Sequence, residues 1–422
     1  MNPEFATLAP LEPLMDKCVH CGFCLPTCPS YILLGQEMAS PRGRIYLMRA
    51  GIEDRVTMGA AFTGHFDTCL GCMACETACP SGVRYAPLVE HTRAAIEHHH
   101  ERPWPDRLFR RLIFSVLPYP ARLRLLVWPL AGAHLIRRFR QLTALLPSRL
   151  RNLVALAPDI PTGNAGAAEF TPARGPKRRS VALVTGCVQR VFFGDVNAAT
   201  ARVLSAEGCD VRAPAGQGCC GALALLAGQD GDARAFARGL IAALPQDVDE
   251  IVVNAAGCGS TMKTYGELLA GDPEWASRAA AFAAKVRDVT ETLAGLAPQA
   301  PRQTVSVRVA YHDACHLAHA QGVRAEPRAL LQTIPGVTIV PLSEPEICCG
   351  SAGIFNLVQP EMAGELGRRK AAHIGDAGVD LVVTSNPGCI LQIRAALRAH
   401  EHAPQVIHIV ELLDRAIRTG SG

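Results

Sequence analysis

Twelve residues, CVHCGFCLPTCP from Cys18 to Pro29, set four cysteines at gaps of two, two and three residues and close on a proline. The pattern returns as CLGCMACETACP, Cys69 to Pro80. Thiols at these spacings read as metal ligation. They fit loops wrapped around a shared ligand.

Thiolate sulfur is the ligand that iron–sulfur clusters require, and three cysteines at this spacing cover one face of a cubane. The longer gap and the proline turn the fourth thiol away, and in two-cluster ferredoxins that thiol ligates the other cluster. The expected sets are Cys18, Cys21, Cys24 and Cys79 on one [4Fe–4S] cluster, and Cys69, Cys72, Cys75 and Cys28 on the other. Four-cysteine zinc also uses C-x2-C pairs. A third and fourth cysteine in fixed register, twice, favour iron–sulfur. The connection between the runs contains SPRGRIYLMRAGIEDR, with Ser40 as N-cap and Pro41 at the first helical position. It predicts a helical ferredoxin module similar to that of succinate dehydrogenase and heterodisulfide reductase subunits, not the short strands of a compact ferredoxin.

The second half of the chain repeats itself. VALVTGC at 181–187 matches VRVAYHDAC at 307–315, GQGCCGALA at 216–224 matches EICCGSAG at 346–353, and IVVNAAGCGS at 251–260 matches LVVTSNPGCI at 381–390. Each unit reads as strand, cysteine loop, helix, strand, Cys-Cys-Gly loop, helix, strand, Gly-Cys loop, which is an α/β unit with a parallel sheet. One unit gathers Cys187, Cys219, Cys220 and Cys258, the other Cys315, Cys348, Cys349 and Cys389. Cysteines at strand ends converge where such sheets place their sites, so these are candidate cluster or zinc ligands. The glycine after each Cys-Cys pair relieves crowding. Cys209, the one of the seventeen cysteines left outside these motifs, reads as a plain buried thiol. GQGCCG at 216–221 matches G-x-G-x-x-G literally, but its repeat partner PEICCG keeps only the thiols, so no dinucleotide site is expected.

From Arg102 to Arg151 there are eleven arginines, one acid (Asp106) and no lysine, interleaved with Leu, Ile, Phe, Val and Trp. Such a segment suits a membrane interface or an acidic partner, or an ordinary amphipathic helix with a solvated face. Residues 157–179 are rich in Pro, Gly and Ala and read as a linker. Aromatics at 5% and a net charge of +4 give no case for a nucleic-acid partner. The start lacks a basic region followed by an apolar one, the cysteine spacings are those of metal ligation, and no long uncharged apolar run exists. A reducing cytoplasmic location is expected.

CVHCGFCLPTCPSY, SPRGRIYLMR, CETACPSGVRY, NAATARVL, GCCGA, AAGCGS and CCGSAGIF together closely resemble the glycolate oxidase (glycolate dehydrogenase) iron–sulfur subunit family. The Cys-Cys-Gly units also resemble the cysteine-rich (CCG) domains of heterodisulfide reductase. The resemblance implies a multidomain protein: an α-helical ferredoxin-like domain with two [4Fe–4S] clusters (1–100), a basic hinge and linker (101–179), and two tandem α/β cysteine-rich domains (180–300 and 301–422). It implies an electron-transfer subunit without a substrate-oxidising site of its own. FAD-binding partner subunits would oxidise glycolate to glyoxylate, and electrons would leave toward a quinone-type acceptor, with the basic hinge peripheral on the cytoplasmic face of the inner membrane. D-lactate and glycerol-3-phosphate dehydrogenase subunits share the motifs. A heterodisulfide-reductase-like thiol–disulfide catalyst is the other reading. Heterodisulfide reductase domains end in C-x2-C, however, whereas CGST from Cys258 and CILQ from Cys389 are each one thiol short. In HDACH, residues 312–316, His312, Asp313 and His316 are candidates to supply or orient a further ligand.

Overall fold

The computed structural model describes residues 2–125, 129, 143, 146–158 and 166–418. Residues 2–125 form helices, turns and loops with no strand. The helix Pro41–Ile52 starts as its sequence dictates: Ser40 is extended, its side chain accepts from the Gly43 N–H, and Pro41 occupies the first turn. Its inward face joins Phe5, Leu8, Met15 and the helix Tyr85–His99 in one core, against which Cys18, Cys24 and Cys79 pack.

The first repeat builds a sheet from β1 (Phe170–Thr171), β2 (Arg179–Val184), β3 (Cys209–Arg212), β4 (Glu250–Val253) and β5 (Val286–Asp288), in the order β1-β3-β2-β4-β5. The second builds one from β6 (Val307–Tyr311), β7 (Val337–Ile339), β8 (Leu381–Thr384) and β9 (Gln405–His408), in the order β7-β6-β8-β9. All pairings are parallel except β1 with β3. In each sheet the first long strand is central and its successors lie to either side. The loops after three adjacent strands therefore open into one crevice at the switch in strand order. Those are the three cysteine loops of each repeat.

Three features differ from the sequence reading. Phe170–Thr171, placed in the linker, pair with Val211 and Arg212 and cover the edge of β3. Each repeat has a further parallel strand, β5 or β9, after its Gly-Cys loop. The repeats are also fused: one apolar core runs from β2 to the last helix, Ile409–Arg418. Asp414 on that helix is buried and accepts from Arg202 of the first repeat at 3.0 and 2.7 Å, and His408 Nε2 lies 3.0 Å from the Asn254 carbonyl.

The basic segment is only partly free. Arg102 is buried and donates to Asp67 at 2.7 and 3.0 Å and to Glu97 at 2.8 Å. Arg110, also buried, donates to Asp106 at 3.1 Å, and Arg149 reaches the same carboxylate at 2.8 Å. Acids outside the segment thus neutralise part of its charge. The outer face of the helix Trp104–Val116 carries Trp104, Leu108 and Leu112 at four-residue spacing, 69%, 60% and 59% exposed, between exposed Arg107 and Arg111. Of the arginines the sequence offers for a membrane or partner contact (Arg110, Arg111, Arg137 and Arg138), Arg137 and Arg138 lie outside the described residues. Among the described residues no helix is long and apolar enough to cross a membrane.

Candidate metal centres

The second cysteine run folds around a small cavity lined by Cys69, Cys72, Cys75 and Tyr85, and Cys28 and Arg44 complete the wall from the first run and its following helix. Cys28 reaches it because Pro29 starts a helix directly after it, and Ser30 Oγ, 3.2 Å from the Cys28 sulfur, anchors on the Ala39 carbonyl at 2.7 Å. All four thiols are buried. Of the other expected set, Cys18, Cys24 and Cys79 are half-buried and Cys21 is exposed. Burial pushes the Cys24 thiol up, with Cys18 and Cys28 adding to it as neighbours.

The residues of the buried cavity fit a cluster. Arg44 is wholly buried; its Nε donates to the His65 carbonyl at 2.7 Å and its Nη2 to Ser30 at 3.0 Å and Thr68 at 3.1 Å. Its Nη1 has no hydrogen-bond partner. A buried cation with one unsatisfied nitrogen on a four-thiol cavity suits an anionic group. Burial raises the Cys69 thiol, but Arg44 and Arg93, with the Gly71 N–H and Tyr85 hydroxyl, outweigh it and hold Cys69 below its ordinary value.

In the repeats, Gly221 and Gly350 follow the Cys-Cys pairs at φ of 80° and 93°, and a Cβ there would lie 3.0 Å from the Ala233 carbonyl oxygen or 2.7 Å from that of Ala363. Only glycine lets the pair turn inward. In the first repeat the Cys187 and Cys219 sulfurs are 3.5 Å apart, and Cys220 interacts with Cys219 and Cys258. In the second, Cys315 and Cys348 are 3.9 Å apart, while Cys348 and Cys389 hold the Cys349 thiol well below its ordinary value against burial. Cys209 stands apart; burial pushes its thiol up to about 11.

The ferredoxin unit and the second repeat meet at their thiols. Cys72 shares an apolar cluster with Cys315, Cys348 and Phe355, and after burial the Cys315 charge is the largest influence raising its thiol. Around this junction Thr77 Oγ1 lies 3.0 Å from His319 Nδ1, and His316 Nδ1 lies 2.7 Å from Ser260 Oγ of the first repeat. Arg93 ties the second cysteine run to the first repeat, donating to the Cys69 and Leu226 carbonyls. Nothing in the sequence pairs Cys72 with Cys315.

Two cluster-binding loops joined to paired cysteine-rich α/β repeats define an iron–sulfur electron carrier. The family model of the 4Fe-4S dicluster domain matches residues 14–83, and that of the cysteine-rich domain matches 181–263 and 309–394. The chain is 37% identical to the "Probable glycolate oxidase iron-sulfur subunit" of Bacillus subtilis (strain 168), over 94% of this chain and 93% of that one. It is 33% identical to the "Glycolate oxidase iron-sulfur subunit" of Escherichia coli (strain K12), over 96% and 95% respectively. Part of the chain, 56%, is 33% identical to 96% of a lactate utilization protein of Oceanobacillus iheyensis. A solved hypothetical protein from Helicobacter pylori shares the fold at a TM-score of 0.51 and 10% identity, over 100% of this chain and 78% of its own. The chain belongs to the family of glycolate oxidase iron–sulfur subunits. It is an electron-transfer subunit, and its cofactors include two [4Fe–4S] clusters.

Proposed function

We propose that this chain carries electrons from an FAD-binding partner, which oxidises glycolate to glyoxylate, toward a quinone-type acceptor. Cys18, Cys21, Cys24 and Cys79 hold one cluster, and Cys69, Cys72, Cys75 and Cys28 hold the other. The observation that carries the reading is that Cys72 shares one apolar cluster with Cys315 and Cys348 and feels the Cys315 charge, which brings the buried thiol pocket beside the thiols of the second repeat. At the other end, Cys21 is exposed between Val19 and Phe23, themselves 68% and 65% exposed, a surface suited to receiving electrons from a docked partner. The clusters supply one-electron transfer. The chain's own residues bury one of them, exclude water from it and set its charge environment.

The test compares the purified chain with the assembled complex. The chain alone is expected to oxidise no glycolate, and the complex to reduce a quinone analogue on adding it. Glycolate oxidation by the single chain overturns the subunit reading. A complex that turns over D-lactate with a far higher kcat/KM than glycolate overturns the substrate.

The outer face of the Trp104–Val116 helix suits a peripheral contact with an anionic membrane. Juxtamembrane basic residues contribute about 1 kcal/mol each and apolar side chains add burial. Arg110, one of the arginines the sequence offers for this contact, belongs instead to the internal network with Asp106. An Arg110→Glu change would test folding. Arg107→Glu with Arg111→Glu is expected to abolish low-salt flotation of the complex with phosphatidylserine vesicles. A wild-type complex that stays with the soluble fraction makes this face a subunit interface.

A further inference from the structure

An open cleft of about 420 Å³ lies between the helix Trp104–Val116, the turn into the helix Pro120–Leu125, and the start of the helix Asp230–Ala243 of the first repeat. That volume is within the range of small-molecule sites, roughly 300–1,000 Å³. Arginines dominate its walls. Arg102 and Arg110 are committed to Asp67, Glu97 and Asp106. Arg107, Arg111 and Arg122 are exposed, and no carboxylate among the described residues pairs with them. Arg122 is fixed in place. It donates to the Ser115 carbonyl at 2.7 Å, and its guanidinium carbon lies 4.3 Å from the centre of the Tyr119 ring. That ring leans in turn on Phe236 of the first repeat, with 6.0 Å between centroids.

Two further lining residues are acceptors. Gln229 Oε1 is buried and has no hydrogen-bond partner, and a buried polar atom left alone calls for a specific explanation. Asp232 is the lining carboxylate outside the ion-pair network. Three unpaired cations and two acceptors fit a ligand with an anionic centre and neighbouring hydrogen-bond donors. Arginine binds phosphate through paired, charge-assisted bonds. Hydroxyl donors suit acceptors that stand among arginines, where an ammonium would be repelled. The surroundings say what carries such a group. At 3.6 residues per turn, Arg107 and Arg111 lie on the helix between the cleft and the exposed stripe of Trp104, Leu108 and Leu112. A phosphate held by them has an apolar, outward-facing surface directly beside it.

We propose that the cleft binds the headgroup of an acidic phospholipid, a phosphodiester ending in hydroxyls as in phosphatidylglycerol. Arg107, Arg111 and Arg122 hold the phosphate, and Gln229 and Asp232 accept from the hydroxyls. The acyl chains run along Trp104, Leu108 and Leu112, which adds burial at the interface. The proposal rests on the reading of this helix face as a membrane contact. It deepens that reading from diffuse attraction, which any anionic surface supplies, to one stoichiometric site. Binding also orients the chain. Arg102 and Arg110 line a second cavity as well, one that reaches Cys69, so a lipid held in the cleft brings the buried cluster pocket toward the bilayer.

The assembled complex is titrated calorimetrically with dihexanoyl phosphatidylglycerol below its micellar concentration. The expected result is saturable binding of one molecule per copy of this chain, with dihexanoyl phosphatidylcholine and inorganic phosphate binding far more weakly. Arg122→Gln is expected to bind the short-chain lipid about tenfold more weakly, the loss of one charge-assisted hydrogen bond, while reducing a soluble quinone analogue at the wild-type rate. Gln229→Leu keeps every arginine. It is expected to weaken binding of the phosphatidylglycerol and to leave dihexanoyl phosphatidic acid, which lacks the terminal hydroxyls, unaffected. The site is overturned by absence of saturable binding, by equal binding of phosphatidylcholine or inorganic phosphate, or by undiminished affinity in Arg122→Gln. Should Arg122→Gln fail to fold, an unchanged phosphatidylglycerol affinity in Gln229→Leu overturns it as well. Vesicle flotation separates this failure from that of the membrane reading. A complex that floats with phosphatidylglycerol vesicles but binds no short-chain lipid keeps the membrane contact and loses the site, and one that never floats loses both.

Discussion

Cys72→Ser is expected to abolish quinone reduction by the assembled complex while substrate still bleaches the flavin of the partner at the wild-type rate. Cys72 stands on the wall of the buried pocket with Cys28, Cys69 and Cys75, and it also belongs to the apolar cluster that holds Cys315 and Cys348. Serine keeps the shape of the side chain but offers a harder, far less acidic donor, and iron–sulfur clusters are held by thiolate. The lesion lies downstream of the flavin, so the first half-reaction survives and the second stops. Single-turnover flavin spectra and steady-state quinone reduction separate the two. Full quinone turnover in the variant would mean that electrons bypass this pocket. Loss of flavin reduction as well would mean that the pocket supports the complex instead of the current.

Arg44→Met is expected to lower the midpoint potential of the buried cluster by on the order of 100 mV. The clusters become more negative on reduction, and Arg44 is a buried cation on the pocket wall with one unpaired nitrogen. Burial works against its charge, yet the neighbouring Cys69, Tyr85 and Cys28 raise its pKa. It therefore stays protonated in both redox states. A unit charge acting over roughly 5–8 Å at an effective dielectric of about 20 contributes on the order of 2–3 kcal/mol, and for one electron a tenfold change in equilibrium corresponds to about 59 mV. Removing it disfavours reduction, so the potential falls. Met fills most of the volume, and Arg44→Lys, which keeps the charge, is expected to recover most of the potential. A redox titration followed by electron paramagnetic resonance reads both variants. An unchanged potential in Arg44→Met would assign the residue to packing alone, through its bonds to His65, Ser30 and Thr68.

Local chemistry was legible in the sequence. The thiol spacings within twelve residues announce cluster-binding loops, because a chelating loop is a short-range object whose geometry is set by a few dihedral angles. Ser40 and Pro41 announced the start of a helix for the same reason, and the structure shows the cap. The repeat of strand, thiol and glycine announced two parallel α/β units, since hydrophobic runs and turn residues carry that period. Even the glycine after each Cys-Cys pair had one physical reading, and both adopt the left-handed backbone that only glycine enters freely.

What depends on distant segments meeting was decided by the tertiary structure. Charge counting treated the arginines of the basic segment as one field, whereas packing brings Asp67 and Glu97 to Arg102, and Asp106 to Arg110, leaving Arg107 and Arg111 outward. HDACH offered three polar residues as equals. Arg328 and Ser260, from other parts of the chain, engage Asp313 and His316 and leave His312 alone beside two thiols. The fused core of the repeats and the meeting of Cys72 with Cys315 likewise join residues far apart in sequence. A sequence specifies such contacts only through the summed burial of whole elements, and no single residue type or spacing carries that sum.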